Sequence, residues 1–270
     1  MNSPRMTRWG GALVLVGLLL GASGCQKLKA RDELNKGIAE YKNVQYTKAI
    51  EHFKVAVQLE PTNLNARLYL ATAYANQYVP GSETDENIRV GEQAIEEFQN
   101  VLKEDPNNLG SIAGIASIYF QMKRMDDAKE YYQKQIQMEP ANPEPYYSVG
   151  VIDWTMTYQP RIVLKSRMKI PADQPIKDAK ERQALAERSL PLIDEGMQRL
   201  NKAMELRQDY HEAMAYLNLL YREKADLVET PQEREELTKT ADSWMDKSLA
   251  TKKAVELKEQ EKQQQGAAGG

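Results

Sequence analysis

Apolar and small residues recur at helical spacing along most of the chain, in segments that end at Pro61, Pro106 and Pro140. In each segment a small residue is followed by a larger side chain four positions later and by a third member after three more. The three sets are Ala49, Phe53 and Ala56; Ala94, Phe98 and Val101; Ala128, Tyr132 and Gln135. This spacing predicts amphipathic helices that bury one face, each ended by a proline that cannot continue the helix.

The turns after these helices also repeat. The second and third prolines are 34 positions apart, and the first and second are 45 apart. An asparagine stands two residues after each proline, at Asn63, Asn108 and Asn142. Asparagine is a favoured N-cap, so each is expected to begin the next helix. The acidic residue before each proline is expected to be a tolerated surface position.

Together these motifs resemble the tetratricopeptide repeat, in which pairs of antiparallel helices bury their apolar faces only by stacking. The resemblance implies an all-α, right-handed superhelical solenoid of about five helix pairs over residues 30–256, with a long insertion in the fourth pair. The predicted units are 30–63, 64–108, 109–142, 143–210 and 211–255. The Gln-, Gly- and Ala-rich residues 257–270 lack apolar periodicity and are predicted to be disordered.

The fourth unit is lengthened by about 34 residues, and its first part carries basic side chains without an acidic one. We expect a loop over residues 155–175, with Arg161, Lys165, Arg167 and Lys169 as its basic residues. Long loops inside compact repeats are usually functional or disordered. Three roles remain open for these side chains: packing on the protein's own acidic surface, contact with a partner, or contact with anionic lipid.

The N-terminal segment differs from the rest of the chain. Arg5 and Arg8 precede an apolar run at residues 12–20, which is too short to span a bilayer, and small residues then lead to Cys25. The pattern predicts a secretory signal over residues 1–24. It resembles the lipobox of bacterial lipoprotein precursors, which implies removal of 1–24, acylation of Cys25 and a lipidated tether at 25–29. Gln26 then implies delivery to the outer membrane.

Composition excludes several classes of function. The 270 residues include 36 basic and 39 acidic side chains, so no basic excess favours nucleic acid. One Cys and two His cannot form a usual zinc site, and no nucleotide-binding or zinc-protease motif is present. We therefore expect no enzymatic activity, no cofactor, no metal and no nucleic-acid partner.

The resemblance also implies where a partner would bind. In the tetratricopeptide family the first helix of each pair lines a concave groove. The positions carried over from that pattern are Tyr41, Lys42, Asn76, Phe120, Gln121, Tyr147, Trp154 and Arg222. Aromatic, amide and arginine side chains of this kind suit an extended peptide or an amphipathic helix.

These features give two hypotheses about function. The first is a lipid-anchored scaffold of the bacterial cell envelope, facing the periplasm from the outer membrane, that binds other envelope proteins or peptides through the groove. The second is an envelope protein that handles carbohydrate or lipid through the basic loop at 155–175. The sequence leaves the partner and the oligomeric state open.

Overall fold

The computed structural model describes the backbone of residues 11–268 and the side chains of residues 25–265, and all regular secondary structure in this range is α-helical. The all-α fold predicted from the sequence is confirmed. The helices are α1 (Gly11–Lys42), α2 (Tyr46–Leu59), α3 (Leu64–Gln77), α4 (Asp85–Glu104), α5 (Leu109–Gln121), α6 (Met125–Met138), α7 (Pro143–Arg167), α8 (Ala179–Leu206), α9 (His211–Ala225) and α10 (Pro231–Ala268).

The helices form two compact units, one ending at Lys123 and the other beginning at Arg124. In the first, each helix from α1 to α5 packs against the next. In the second, α6 to α10 pack in the same consecutive way, and α7 also contacts α9. Packing between neighbours along the chain is the arrangement by which helix pairs supply each other's core.

The predicted asparagine caps begin α3, α5 and α7. Their side-chain oxygens accept from the backbone N–H groups of Ala66, Ser111 and Glu144 at 3.0–3.1 Å. The acidic residues before the prolines are not merely tolerated, because each carboxylate accepts from the amide nitrogen of the cap at 3.1–3.2 Å. These pairs are Glu60 with Asn63, Asp105 with Asn108, and Glu139 with Asn142. Each turn is therefore held by two side chains.

In the first two of the three repeated residue sets, the small and aromatic positions form part of the core. Ala49, Phe53 and Ala56 are buried, as are Ala94, Phe98 and Val101. In the third set Ala128 is buried, whereas Tyr132 and Gln135 are only half-buried. The predicted offsets therefore identify the core best where the larger position is phenylalanine.

The insertion in the fourth unit is mostly helical, so the predicted loop over 155–175 is wrong for its first part. Helix α7 continues through Pro160 to Arg167, and only residues 168–178 separate it from the 28-residue α8. A proline inside a helix costs about 3 kcal/mol. Burial of Leu164, Ile176 and Leu185 in one cluster offsets this cost, because the longer helices cover each other.

Both chain ends are helical where the structure describes them, and at the C-terminal end this differs from the prediction. Cys25 and the predicted tether at 25–29 belong to α1, and residues 257–268 belong to α10 rather than to a disordered tail. The glutamate, lysine, glutamine and alanine residues of this tail have high helix propensity, so the helix persists without a buried face. Residues 269–270 and the side chains of the predicted signal peptide, 1–24, lie outside the described part. Within the described part, no helix is long and apolar enough to cross a membrane.

Candidate partner-binding face

Four half-buried aromatic side chains form a continuous surface on α7 and α9, which we call the aromatic face. Its members are Tyr147, Trp154 and Tyr158 from α7 and Tyr216 from α9. Tyr216 contacts Tyr147 and Trp154 edge-on, with ring centroids at 5.7 and 5.4 Å. Trp154 stacks on Tyr158 at 5.0 Å. Rings at these separations hold one another in place, which preorganises the surface.

One end of the aromatic face is fixed by Tyr210, which is buried and lies 4.9 Å from Tyr147 between ring centroids. The Tyr210 hydroxyl donates to the Glu144 carboxylate at 2.7 Å, and the Arg207 guanidinium lies 3.2 Å from the Tyr210 ring centroid. Burial raises the pKa of Tyr147 and Tyr210 well above the ordinary tyrosine value. Both phenols therefore stay neutral and act as hydrogen-bonding groups.

At the other end, Arg161 lies over Tyr158, 5.4 Å from the ring centroid, and forms a buried ion-pair cluster. Its guanidinium donates to both Glu223 oxygens at 2.6 and 2.8 Å and to Asp226 at 3.0 Å. Lys165, which is 2% exposed, pairs with Asp226 and donates to the Ala172 carbonyl at 2.8 Å. Two of the four basic residues predicted for a lipid or partner loop thus bind the protein itself.

The other two basic residues lie on the surface. Arg167 is 63% exposed at its side chain and pairs with Glu181 at 2.7 Å. Lys169 is exposed and adopts a left-handed backbone conformation, with φ of 57°, in the turn after α7. Of the three roles left open by the sequence, this arrangement favours packing on the protein itself for Arg161 and Lys165.

A second polar cluster centres on Asp153, the residue before Trp154 in α7. Asp153 is fully buried and accepts from Lys129 at 2.6 Å, and Lys129 also donates to Glu195 at 2.9 Å. Burial raises the pKa of Asp153 to about 6 although the Lys129 contact lowers it. The second Asp153 oxygen is buried and has no hydrogen-bond partner among the described residues. This carboxylate ties α7 to α6 and α8.

The groove residues predicted in the first unit form a smaller polar contact. The Tyr41 hydroxyl accepts from the Asn76 amide nitrogen at 2.8 Å, so α1 and α3 bring these two side chains together. Lys42 is exposed at the end of α1. Phe120 and Gln121 are half-buried at the end of α5, where Gln121 donates to Ser117 at 3.1 Å.

In the second compact unit, the Arg222 guanidinium is directed to polar partners: it pairs with Asp242 at 2.5 Å and donates to Asn218 at 2.9 Å. Tyr158 and Tyr216 do join the aromatic face, and the sequence analysis missed both. Tyr147, Trp154 and Tyr158 have the seven- and four-residue spacing of a single helix face. Assigning residues from 155 onward to a loop concealed this signal.

The family comparison supports the repeat pattern directly. A tetratricopeptide repeat family model matches residues 91–149, which span parts of three predicted units. Together with the helix pairs and asparagine-capped turns, this match confirms the resemblance found in the sequence. Residues 91–149 therefore match the tetratricopeptide repeat family, and the helix pairs on either side follow the same pattern.

Solved structures share the same fold at low sequence identity. The chain is similar to MamA 41-end from Desulfovibrio magneticus RS-1, with 16% identity, a TM-score of 0.58, and coverage of 84% of this chain and 96% of that one. It is also similar to YrrB, described as "a TPR protein with an unusual peptide-binding site", with 12% identity, a TM-score of 0.51 and coverage of 83% and 90%. The search of curated protein sequences gave no match.

Proposed function

We propose that this protein is a lipid-anchored scaffold of the bacterial cell envelope that binds a peptide segment of another protein on the aromatic face. The observation that carries the proposal is the set of rings on α7 and α9, which pack against one another and are only partly buried. Aromatic side chains with restricted rotamers supply contact area at low entropic cost, and they often dominate binding energy at interfaces. The proposal includes no catalytic step.

The tetratricopeptide fold supports the peptide part of this proposal, because such folds present helix faces to partner segments. YrrB shares the fold and its description names a peptide-binding site. The envelope location rests on the N-terminal sequence pattern, in which a basic segment, an apolar run and small residues precede Cys25. Cys25 itself is exposed, as acylation requires.

The ion pairs of Arg161 and Lys165 weigh against the alternative of a lipid- or carbohydrate-handling loop. Side chains held by Glu223 and Asp226 would have to leave buried carboxylates unpaired in order to contact a ligand, at a cost of several kcal/mol. The scaffold hypothesis needs no such rearrangement.

Site-specific photocrosslinking in intact cells tests the proposal. A photoreactive phenylalanine analogue at Tyr158 should give a discrete protein adduct, since this ring ends the stack and is partly exposed. The same analogue at Val44, which is 65% exposed in the turn between α1 and α2, is the control and should give none. Adding Trp154→Leu should weaken the Tyr158 adduct. Equal adducts at both positions, or none at Tyr158, would contradict the peptide-binding proposal.

A separate experiment tests the anchor. Replacing Cys25 with serine should move the protein from the membrane fraction to the soluble fraction, because stable anchoring requires the acyl chains. Retention of the Cys25→Ser variant in membranes would refute the proposed lipid anchor. It would not bear on the proposal that the aromatic face binds a peptide.

A further inference from the structure

A cleft of about 620 Å³ opens in the second unit where two inter-helix connections meet. Residues 175–177, before α8, form one wall, and residues 228–231, between α9 and α10, form another. Arg182 from α8 and Arg234, Glu235, Thr238 and Lys239 from α10 complete the lining. The first connection belongs to the insertion in the fourth repeat, so we call this site the insertion cleft; α8 and α10 supply the rest of its lining.

The lining of this insertion cleft is basic, although the whole chain has more acidic than basic residues. Its charged side chains are Lys177, Arg182, Arg234 and Lys239 against Glu229 and Glu235. Lys239 and Glu235 neutralise each other across one helical turn at 2.6 Å. Arg234 also pairs with Asp226 at 3.6 Å, so Lys177 and Arg182 are the two cations of the lining that have no carboxylate partner among the described residues, and Glu229 is the carboxylate without a cation partner there.

The two arginines of the insertion cleft are held by backbone carbonyls. Arg182 donates from Nη1 to the Ile176 carbonyl at 3.1 Å and makes no other hydrogen bond to the described residues. Arg234 donates from Nη2 to the Asp173 carbonyl at 2.8 Å, and its buried Nε has no acceptor in the described part. A guanidinium has five N–H donors in a planar fork that matches a carboxylate. Arg234 also pairs with Asp226 at 3.6 Å, so Arg182 is the guanidinium with donors available to an acceptor from outside.

Beside these cations, the walls contain Pro175, Ile176, Val228 and Pro231, which offer apolar contact to the aliphatic parts of the side chains of a bound peptide. The volume is within the range of about 300–1,000 Å³ typical of ligand sites. A smaller pocket shares Arg234 and Thr238 with the cleft and also includes Arg161, the residue that lies over Tyr158. One path of contacts therefore connects the cleft to the aromatic face.

We propose that the insertion cleft binds an acidic segment of a partner protein, with the glutamate or aspartate carboxylates on Arg182 and Lys177. The charge complementarity of the lining selects this occupant over an apolar helix. The acidic-segment site is separate from the aromatic face, so the two proposals can fail independently.

The test uses two fluorescein-labelled octapeptides, one with four glutamates and one with glutamines at the same positions, and measures fluorescence anisotropy with the full chain. The glutamate peptide should bind, and the glutamine peptide should bind at least about tenfold more weakly. Lys177→Gln with Arg182→Gln should weaken binding of the glutamate peptide about tenfold, and Arg182→Lys should retain part of it. Lys180→Gln removes the same charge from an exposed position in the first turn of α8 outside the cleft, and should change nothing.

Three results would overturn the inference. The first is no preference for the glutamate peptide, and the second is an equal loss in Lys180→Gln, which would indicate diffuse electrostatics. The third is displacement by inorganic phosphate as efficient as by unlabelled peptide, which would indicate a small-anion site. Circular dichroism of each variant excludes unfolding. Photocrosslinking at Tyr158 in the Lys177→Gln, Arg182→Gln background reports separately on the aromatic face.

Discussion

Gly114 in α5 offers a sharp test of how the first unit is packed. A methyl group added there would stand 2.4–2.8 Å from three ring carbons of Phe98 in α4. Phe98 is only 3% exposed, so its ring has no open space to enter. Gly114→Ala therefore forces α4 and α5 apart or rotates a buried ring.

The magnitude follows from two opposing terms. Overpacking a filled core typically costs about 1–3 kcal/mol, and three contacts under 3.0 Å place this site in the upper part of that range. Alanine recovers about 1 kcal/mol through its better helix propensity. We expect the free energy of unfolding to fall by about 1–2 kcal/mol. At roughly 2–4 °C for each kcal/mol, the melting temperature should fall by about 2–8 °C.

Thermal unfolding followed by far-ultraviolet circular dichroism measures this loss. Gly110→Ala is the matched control in the same helix, because its added methyl would meet no atom closer than 3.5 Å. The control should be as stable as the wild type or slightly more stable. If Gly114→Ala melts at or above the wild-type temperature while the control behaves as expected, the close packing of Phe98 on α5 is wrong.

Three further predictions concern polar groups. Burial raises the pKa of Asp153 to about 6 from 3.8. Between these two pH values the native state binds a proton that the unfolded state has released. The contribution of Asp153 to the free energy of unfolding therefore falls as the pH rises from about 4 to about 6. The stability of Asp153→Asn relative to wild type, measured by urea unfolding, should therefore increase by up to ~3 kcal/mol between about pH 4 and pH 7. Arg161→Gln should cost about 3–5 kcal/mol by leaving Glu223 buried and unpaired, whereas Arg167→Gln should cost at most about 1 kcal/mol. Asn108→Ala should cost about 1 kcal/mol through loss of the α5 cap, measured by the same assay.

Each of these predictions has a result that contradicts it. A pH-independent difference between Asp153→Asn and wild type would mean that this carboxylate titrates normally. Equal losses in the Arg161 and Arg167 variants would mean that the buried cluster is no stronger than a surface pair. An Asn108→Ala variant as stable as wild type would mean that the Asn108 side-chain cap does not stabilise α5.

Much of the candidate site was predictable from local pattern, and the rest was not. The carried-over positions include Tyr147 and Trp154, because the first helix of a repeat is identifiable from its spacing. Tyr158 was missed since Pro160 and the basic residues after it suggested a loop. Helix α7 passes through that proline because packing in the second unit buries Leu164, a contribution that no local rule contains.

The sequence by itself determined the helix pairs, the capped turns and the repeat family, because each depends on residues within one or two helical turns of one another. Only the tertiary structure decided which charges are available to a partner. The carboxylates that hold Arg161, on Glu223 and Asp226, lie 62 and 65 positions later in the chain. Composition indicated a basic loop, whereas long-range ion pairs neutralise its buried part and leave different cations, Lys177 and Arg182, facing an open cleft.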